Sequence, residues 1–346
     1  MNTYNIAIVG ATGLVGRALI ELLAQRDFPV GNLFLLASKK SEGEGIFFKH
    51  KECEVQNIES FDFSNVDIAF FMAGSEVSKK HIPKATELGV IVIDNSSHYR
   101  NDVDVPLIIP EVNPEDIEFY NRKNIISNPN CSTIQMLVAL KPIYDAFGIK
   151  KIVVSTYQSV SGAGQKGINE LVYQTTNLLG GKSCDTEDFV AFKKQIAFNA
   201  LPQIDDFQDN GYTKEEMKMI LETQKIFHND NIAVNPTAVR IPVFFGHSES
   251  IYIETDREIS KEAIEDVYYN YDAVKLIDDV ENLKYPTAVE HVRAESDSDN
   301  ATVFVGRVRQ DLGNTNGINL WVVSDNVRKG GALNSIQIAE KLLNYI

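Results

Sequence analysis

Hydrophobic residues in the first 130 positions fall into short unbroken runs, and between the runs they recur at helical spacing. Residues 4–9 (Tyr-Asn-Ile-Ala-Ile-Val) predict a first strand, followed by a helix carrying Leu19, Ile20, Leu22 and Leu23. Further strands are predicted at 33–37, 66–73 and 90–94, with short ones at 107–109 and 125–126 and a helix running to Leu88. The stretch 90–94 is almost wholly apolar, as a strand covered on both faces must be. This alternation predicts a doubly wound parallel sheet. Beyond residue 130 the texture changes. A long strand rich in Val, Thr and Tyr is expected at 149–160 and later strands at 239–245, 249–255, 301–309 and 319–323, with helices near 165–179, 213–226 and 260–271. Such a mixture predicts an α+β domain on a mixed or antiparallel sheet. The last stretch, 326–346, has helical spacing (Leu333, Ile336, Ile338, Leu342, Leu343) and is expected to return to the first domain. The expected division is therefore 1–129 with 326–346, and 130–325. Two domains suit a chain longer than the ~250–300 residues at which single cores stop growing.

Between the two textures lies Ser127-Asn128-Pro129-Asn130-Cys131-Ser132-Thr133. An apolar lead-in and helical spacing afterwards (Ile134, Leu137, Val138, Leu140) predict strand, tight turn and helix, with Cys131 at the helix N-terminus. Unsatisfied amides and the positive end of the helix dipole favour a thiolate there. The same amides can hold an oxyanion developing beside the sulfur. A lone cysteine is more often buried and inert. Its setting is what marks this one as a candidate nucleophile.

The first strand opens onto Gly10-Ala11-Thr12-Gly13-Leu14-Val15-Gly16 and then a helix. Glycines three apart permit a tight turn and close approach of a pyrophosphate, which the helix N-terminus then faces. The spacing is a variant of the dinucleotide fingerprint and makes the first domain Rossmann-like. The strand at 33–37 ends in Ser38-Lys39-Lys40-Ser41, where a site for NAD usually carries an acidic residue against the ribose 2′-hydroxyl. Two cations and two hydroxyls suit a 2′-phosphate instead, so NADP is expected; the alternative is a solvated loop. At the end of the strand 90–94, Arg100 is either an anion clamp or a surface ion-pair partner.

Charge and cysteine content narrow the classes. A formal charge of −15 argues against nucleic acid and against an anionic membrane surface. Three sparse cysteines, Cys53, Cys131 and Cys184, offer no disulfide framework and no paired metal-ligand spacing, so a reducing compartment, the cytosol, is expected. No apolar run reaches membrane-spanning length. In the second domain, Thr213-Lys-Glu-Glu216 has the form of a capping box. It leaves Glu215 and Lys218 three apart on one helix face, either a surface pair or part of a site. Arg240 and His247 are seven apart, hence on opposite faces of an unbroken strand. If both serve one pocket, a bulge or turn near Gly246 must re-aim the histidine.

Together these stretches resemble the aspartate-β-semialdehyde dehydrogenase family over essentially the whole chain. The motif around Cys131 is similar to the family's nucleophile motif, with Asn130 beside it as a substrate contact. By the same resemblance Gln158 helps to position substrate, Arg240 binds its α-carboxylate and His247 is the acid/base group. Glu215 and Lys218 match a pair for the substrate amine and phosphate, and Arg100 a second phosphate ligand. Ser161, Gly162 and Asn326 match cofactor contacts, as do Gly10, Thr12, Gly13, Leu14 and Val15 with Ser38, Lys40 and Ser41. The loop before Gly74 differs a little from the family's pattern. The resemblance implies an NADPH-dependent conversion of β-aspartyl phosphate to aspartate β-semialdehyde through a cysteine thioester, in lysine, threonine and methionine biosynthesis. It also implies a homodimer formed through the second, catalytic and dimerisation domain. N-acetylglutamyl-phosphate reductase is the nearest alternative, but its motif typically reads Asn-Pro-Gly-Cys-Tyr where this chain has Asn-Pro-Asn-Cys-Ser. Glyceraldehyde-3-phosphate dehydrogenase is a weaker alternative, since it places Ser and Cys before a Thr-Thr pair and favours NAD; a silent nucleotide-binding relative is a third, and would not be expected to keep Cys131, Gln158, Arg240 and His247 together.

Overall fold

The structure is a computed structural model and describes residues 3–292 and 302–346. Two compact units divide the chain: Met1–Asn130 with Gly331–Ile346, and Cys131–Gly330. In the first unit β1 (Tyr4–Val9), α1 (Leu14–Gln25), β2 (Val30–Ala37), β3 (Gly45–Phe48), β4 (Lys51–Asn57), β5 (Ile68–Phe71), α2 (Ser75–Thr86), β6 (Ile91–Asp94) and β7 (Ile125–Ser127) follow in order. Their sheet runs β3-β4-β2-β1-β5-β6-β7, parallel throughout except for the β3–β4 hairpin. All four residues of β5 are buried, which is why the centre of this sheet reads as unbroken apolar sequence. The C-terminal helix, Leu333–Leu342, packs on α1, and Arg26, just past the end of α1, meets Glu340 at 2.8 Å.

The second unit contains α3 (Cys131–Phe147), β8 (Lys151–Gln158), α4 (Gln165–Leu179), α5 (Lys214–Ile226), β9 (Ala233–Arg240), β10 (His247–Glu254), α6 (Lys261–Tyr269), β11 (Val274–Leu276), α7 (Ala288–His291), β12 (Val303–Gln310) and β13 (Gly317–Ser324). The sheet order is β11-β12-β13-β10-β8-β9, a mixed sheet with β8–β9 and β11–β12 parallel and the other pairs antiparallel. Burial alternates strictly along β8, so Ile152, Val154, Thr156 and Gln158 share the face that packs inward. His247, Glu249, Ile251 and Ile253 do the same on β10.

Three expected elements differ from the structure. The strand expected at 239–245 ends at Arg240 and begins earlier, at Ala233. Pro236 argues against a central strand, but β9 is the sheet edge, where a missing N–H is tolerated. Residues 107–109, flanked by Pro106 and Pro110, make only one bridge, Leu107 to Ser127. The strand expected to start at Ala301 is described from Val303, and Ala301 itself lies outside the described residues. The β3–β4 hairpin was not anticipated, because Lys51-Glu-Cys-Glu carries no apolar run.

Glu249 is the costly residue of this second sheet. Its carboxyl is fully buried, and neither oxygen has a hydrogen-bond partner of ordinary geometry among the described residues. Burial drives its pKa well above the ordinary 4.5, and the Gln135 side chain on α3 counters this only in part. The folded protein thus holds a proton there that the unfolded chain releases, so stability drains away as pH rises above that ordinary value. Glu249→Gln, which does not titrate, should stabilise the protein at about pH 8 and do so much less at about pH 5, the gap growing by at most about 1.4 kcal/mol per pH unit. Denaturant unfolding at the two pH values measures it, and a gap independent of pH would count against the neutral carboxyl.

Candidate active site

In the first unit the loop from β1 to α1 has no room for side chains. A Cβ on Gly10, whose φ is +84°, would sit 2.6 Å from the Met72 carbonyl oxygen, and one on Gly16 2.2 Å from that of Gly10. Gly13 caps α1 without a side-chain hydrogen bond, and no acidic residue occupies the first turn, where Leu14 and Val15 lie. The helix amides therefore remain available to an anion. The Thr12 hydroxyl donates to Ser41 Oγ at 3.4 Å, tying the fingerprint to the turn after β2. In that turn Ser38, Lys39 and Lys40 are exposed, and neither lysine meets a carboxylate among the described residues. These features fit a dinucleotide.

Arg100 is buried rather than a surface partner, and its Nη2 donates to the Asn95 carbonyl at 2.9 Å. Asn95 Oδ1 in turn accepts from Asn128 Nδ2 at 2.7 Å, and Asn128 Oδ1 from Asn334 Nδ2 at 2.7 Å. This relay runs through the loop that carries Arg100 and the residues leading to Asn130, which is also buried. Nothing in the sequence pointed to Asn95, Asn128 or Asn334, since the last two lie 206 positions apart.

The second unit begins with Cys131, the first residue of α3, which is half-buried. Beside it Ser132 Oγ accepts from Gln158 Nε2 at 3.0 Å, and the same nitrogen donates to Glu215 Oε1 at 3.0 Å. Glu215 reaches Lys218 Nζ at 3.1 Å, and that ammonium also meets Asp205 at 3.1 Å. The capping box at Thr213 forms as expected, and Glu216 adds a bond to Ala238 N–H on β9 at 2.9 Å. It therefore clamps α5 to the strand that carries Arg240. Arg240 lies directly across from Gln158 in the β8–β9 register and donates to the Ser159 carbonyl at 2.7 Å. Burial lowers its pKa, while Glu215 and Cys131 favour its charged form.

Arg240 and His247 do not share a strand. After Arg240 the chain crosses the end of β8, with Val160 N–H bonded to the Val243 carbonyl at 2.8 Å, and turns at Gly246, φ +87°, into β10 on the other side. Gly246 is thus the turn that re-aims His247. Ser159 N–H, which can only donate, lies 3.1 Å from His247 Nδ1. Nδ1 is therefore the acceptor, and the neutral ring carries its proton on Nε2. Burial first, and then Arg240, push the His247 pKa down to about 3. The imidazole is therefore held neutral, well below the near-neutral value that an acid/base histidine implies. Ser159 was not singled out in the sequence, although it lies between Gln158 and Ser161. Ser161 and Asn326 bond to each other at 3.0 Å, and Gly162 packs against Arg240 and His247. All three are thus part of the arrangement around the imidazole.

Among the described residues no helix is long and apolar enough to cross a membrane. Residues 5–120 match the family model described as semialdehyde dehydrogenase, NAD binding domain, and 140–329 that described as semialdehyde dehydrogenase, dimerisation domain. Aspartate-semialdehyde dehydrogenase 2 of Vibrio cholerae is 56% identical over 340 residues, 98% of each chain. The corresponding protein of Aquifex aeolicus is 53% identical over 341 residues, again 98% of each. A crystal structure of aspartate semialdehyde dehydrogenase II from Vibrio cholerae, complexed with ASA, superposes with a TM-score of 0.94 at 55% identity and 99% coverage of both chains. The first unit thus carries a nucleotide-binding domain. With a cysteine at the head of α3 and likeness along nearly the entire length, the chain belongs to the aspartate-semialdehyde dehydrogenase family.

Proposed function

We propose that the protein converts L-β-aspartyl phosphate to L-aspartate β-semialdehyde by NADPH-dependent reductive dephosphorylation, through a thioester on Cys131. The observation that carries this reading is the bonded set in the unit that α3 opens: Gln158 joins Ser132 to Glu215, and Ser159 joins Arg240 to His247. Cys131 thiolate attacks the acyl carbon and phosphate departs, taking the one proton that the overall reaction consumes. When bound, NADPH supplies the hydride that reduces the thioester. The resulting thiohemiacetal collapses, releasing the aldehyde and restoring the thiolate.

Neutral His247 serves this sequence chiefly as a donor, its Nε2–H stabilising charge that develops on the acyl oxygen. With the imidazole held neutral, the helix head and Arg240 take over the task of favouring the thiolate. Arg240 holds the α-carboxylate and Glu215 the α-ammonium, a pairing of fixed charges suited to an amino acid. Lys218 and Arg100 hold phosphate, and Asn130 and Gln158 orient the acyl group. The fingerprint Gly10, Thr12, Gly13, Leu14 and Val15, with Ser38, Lys40 and Ser41, would hold the nucleotide, joined by Ser161, Gly162 and Asn326. Their cations and hydroxyls favour NADP over NAD. The Vibrio cholerae relative complexed with ASA supports the substrate class.

Phosphate-dependent NADP reduction with aspartate semialdehyde, run beside the N-acetylglutamyl counterpart, tests the reaction; turnover of the latter alone would overturn it. Cys131→Ser should fold normally and lose at least about 10³-fold in kcat, so appreciable turnover by that variant contradicts the thioester. Replacing Lys39 and Lys40 together by alanine should raise KM for NADP about tenfold and leave KM for NAD unchanged; equal effects on both would remove the 2′-phosphate reading. The active species on this reading is a cytoplasmic homodimer, and light scattering on protein from the soluble cell fraction should give twice the chain mass, with a monomer as the contrary result.

A further inference from the structure

The segment after β13 links Asn326, proposed above as a cofactor contact, to a glycine that the reaction scheme leaves unused. It is wound into a tight turn: Asp325 Oδ1 accepts the amides of Val327 at 2.8 Å and Arg328 at 2.9 Å, and Gly330 N–H returns to the Asp325 carbonyl at 2.9 Å. One end of the turn grips the histidine's surroundings. Asn326 Oδ1 accepts from Gly246 N–H at 3.0 Å and from the Ser159 hydroxyl at 3.1 Å, while Nδ2 donates to Ser161 Oγ at 3.0 Å. Gly246 precedes His247, and Ser159 is the residue whose N–H fixes the imidazole tautomer. The other end touches the nucleophile. A Cβ on Gly330 would fall 2.7 Å from Cys131 Cβ and 3.2 Å from its Cα.

Gly330 is not required by its backbone, which lies outside the left-handed region. It sits within a helical turn, Arg328–Ala332, where alanine is the better helix former. What excludes a larger residue is the nucleophile itself. The atoms in the way are the α- and β-carbons of Cys131, anchored at the head of α3, and not the far end of a flexible side chain. We propose that the Asp325–Gly330 turn is a gauge that sets the position of the Cys131 sulfur relative to His247, with Gly330 and Asn326 as its positioning residues. The turn is closed by its own hydrogen bonds, so its two ends cannot shift independently. This inference rests on the reading of Cys131 as the nucleophile.

The test is the rate of Cys131 alkylation by iodoacetamide as a function of pH, followed by mass spectrometry with Cys53 and Cys184 as internal references, alongside kcat. Gly330→Ala should fold with a lowered Tm, lose about 10²-fold in kcat, and alkylate Cys131 about tenfold more slowly near neutrality, with the midpoint moved to higher pH. Gly313→Ala, whose nearest contact would be an ordinary 3.6 Å, serves as the unaffected control. Asp325→Ala, which unties the turn without a collision, should lower kcat in the same direction and stands in if Gly330→Ala does not fold. A wild-type alkylation profile with kcat within about twofold in either folded variant overturns the gauge. Were Cys131 of the unaltered protein to react no faster than the two reference cysteines, the nucleophile reading would fall, and the gauge with it.

Discussion

Three neighbouring strands in register bring the chemistry of the second unit together. Gln158 ends β8, Arg240 lies across from it on β9, and β10 starts at His247 on the other side. Side chains alternate along a strand, so a slip of one residue in either pairing would turn Arg240 or His247 to the opposite face. The register is held by ordinary apolar packing: Ile152 and Val154 on β8 and Ile251 and Ile253 on β10 share the inner face with the polar residues nearer the strand ends. One strip of core thus positions groups that belong to no core.

Burying those groups is expensive, and the arrangement shows how the cost is contained. Arg240 gives its protons to a backbone carbonyl and to the region of Gln158, and Glu215 is met by Gln158 and by Lys218. His247 avoids the cost of a charge by staying neutral. Removing one member of such a set leaves its partner buried and uncompensated, which typically costs about 3–5 kcal/mol. Gln158 is central because an amide can face a carboxylate, a hydroxyl and a guanidinium without carrying charge of its own.

The first unit solves a different problem. A chain with a net charge of −15 must attract phosphate locally, against its overall field. On the proposed reading it does so with crowded glycines, an uncapped helix start, and two exposed lysines that meet no carboxylate among the described residues. Arg100 is aimed by the Asn95 carbonyl, which accepts from its Nη2, and Asn95 is held in turn by Asn128.

What the sequence determined by itself was local. A glycine pattern between strand and helix, a cysteine at a helix start and a capping box at Thr213 each need only neighbouring residues, and each has a distinct physical signature over fewer than ten positions. β9 differs for the same reason: the apolar run from Val239 to Phe245 reads locally as a strand, whereas edge position and the crossing over β8 place the strand at Ala233–Arg240. Ser159's hold on His247, the Asn334–Asn128–Asn95 relay and the closeness of Gly330 to Cys131 were decided only by tertiary structure. Each joins residues dozens to hundreds of positions apart, and a hydrogen bond or a steric limit of that range has no periodicity for the chain to display.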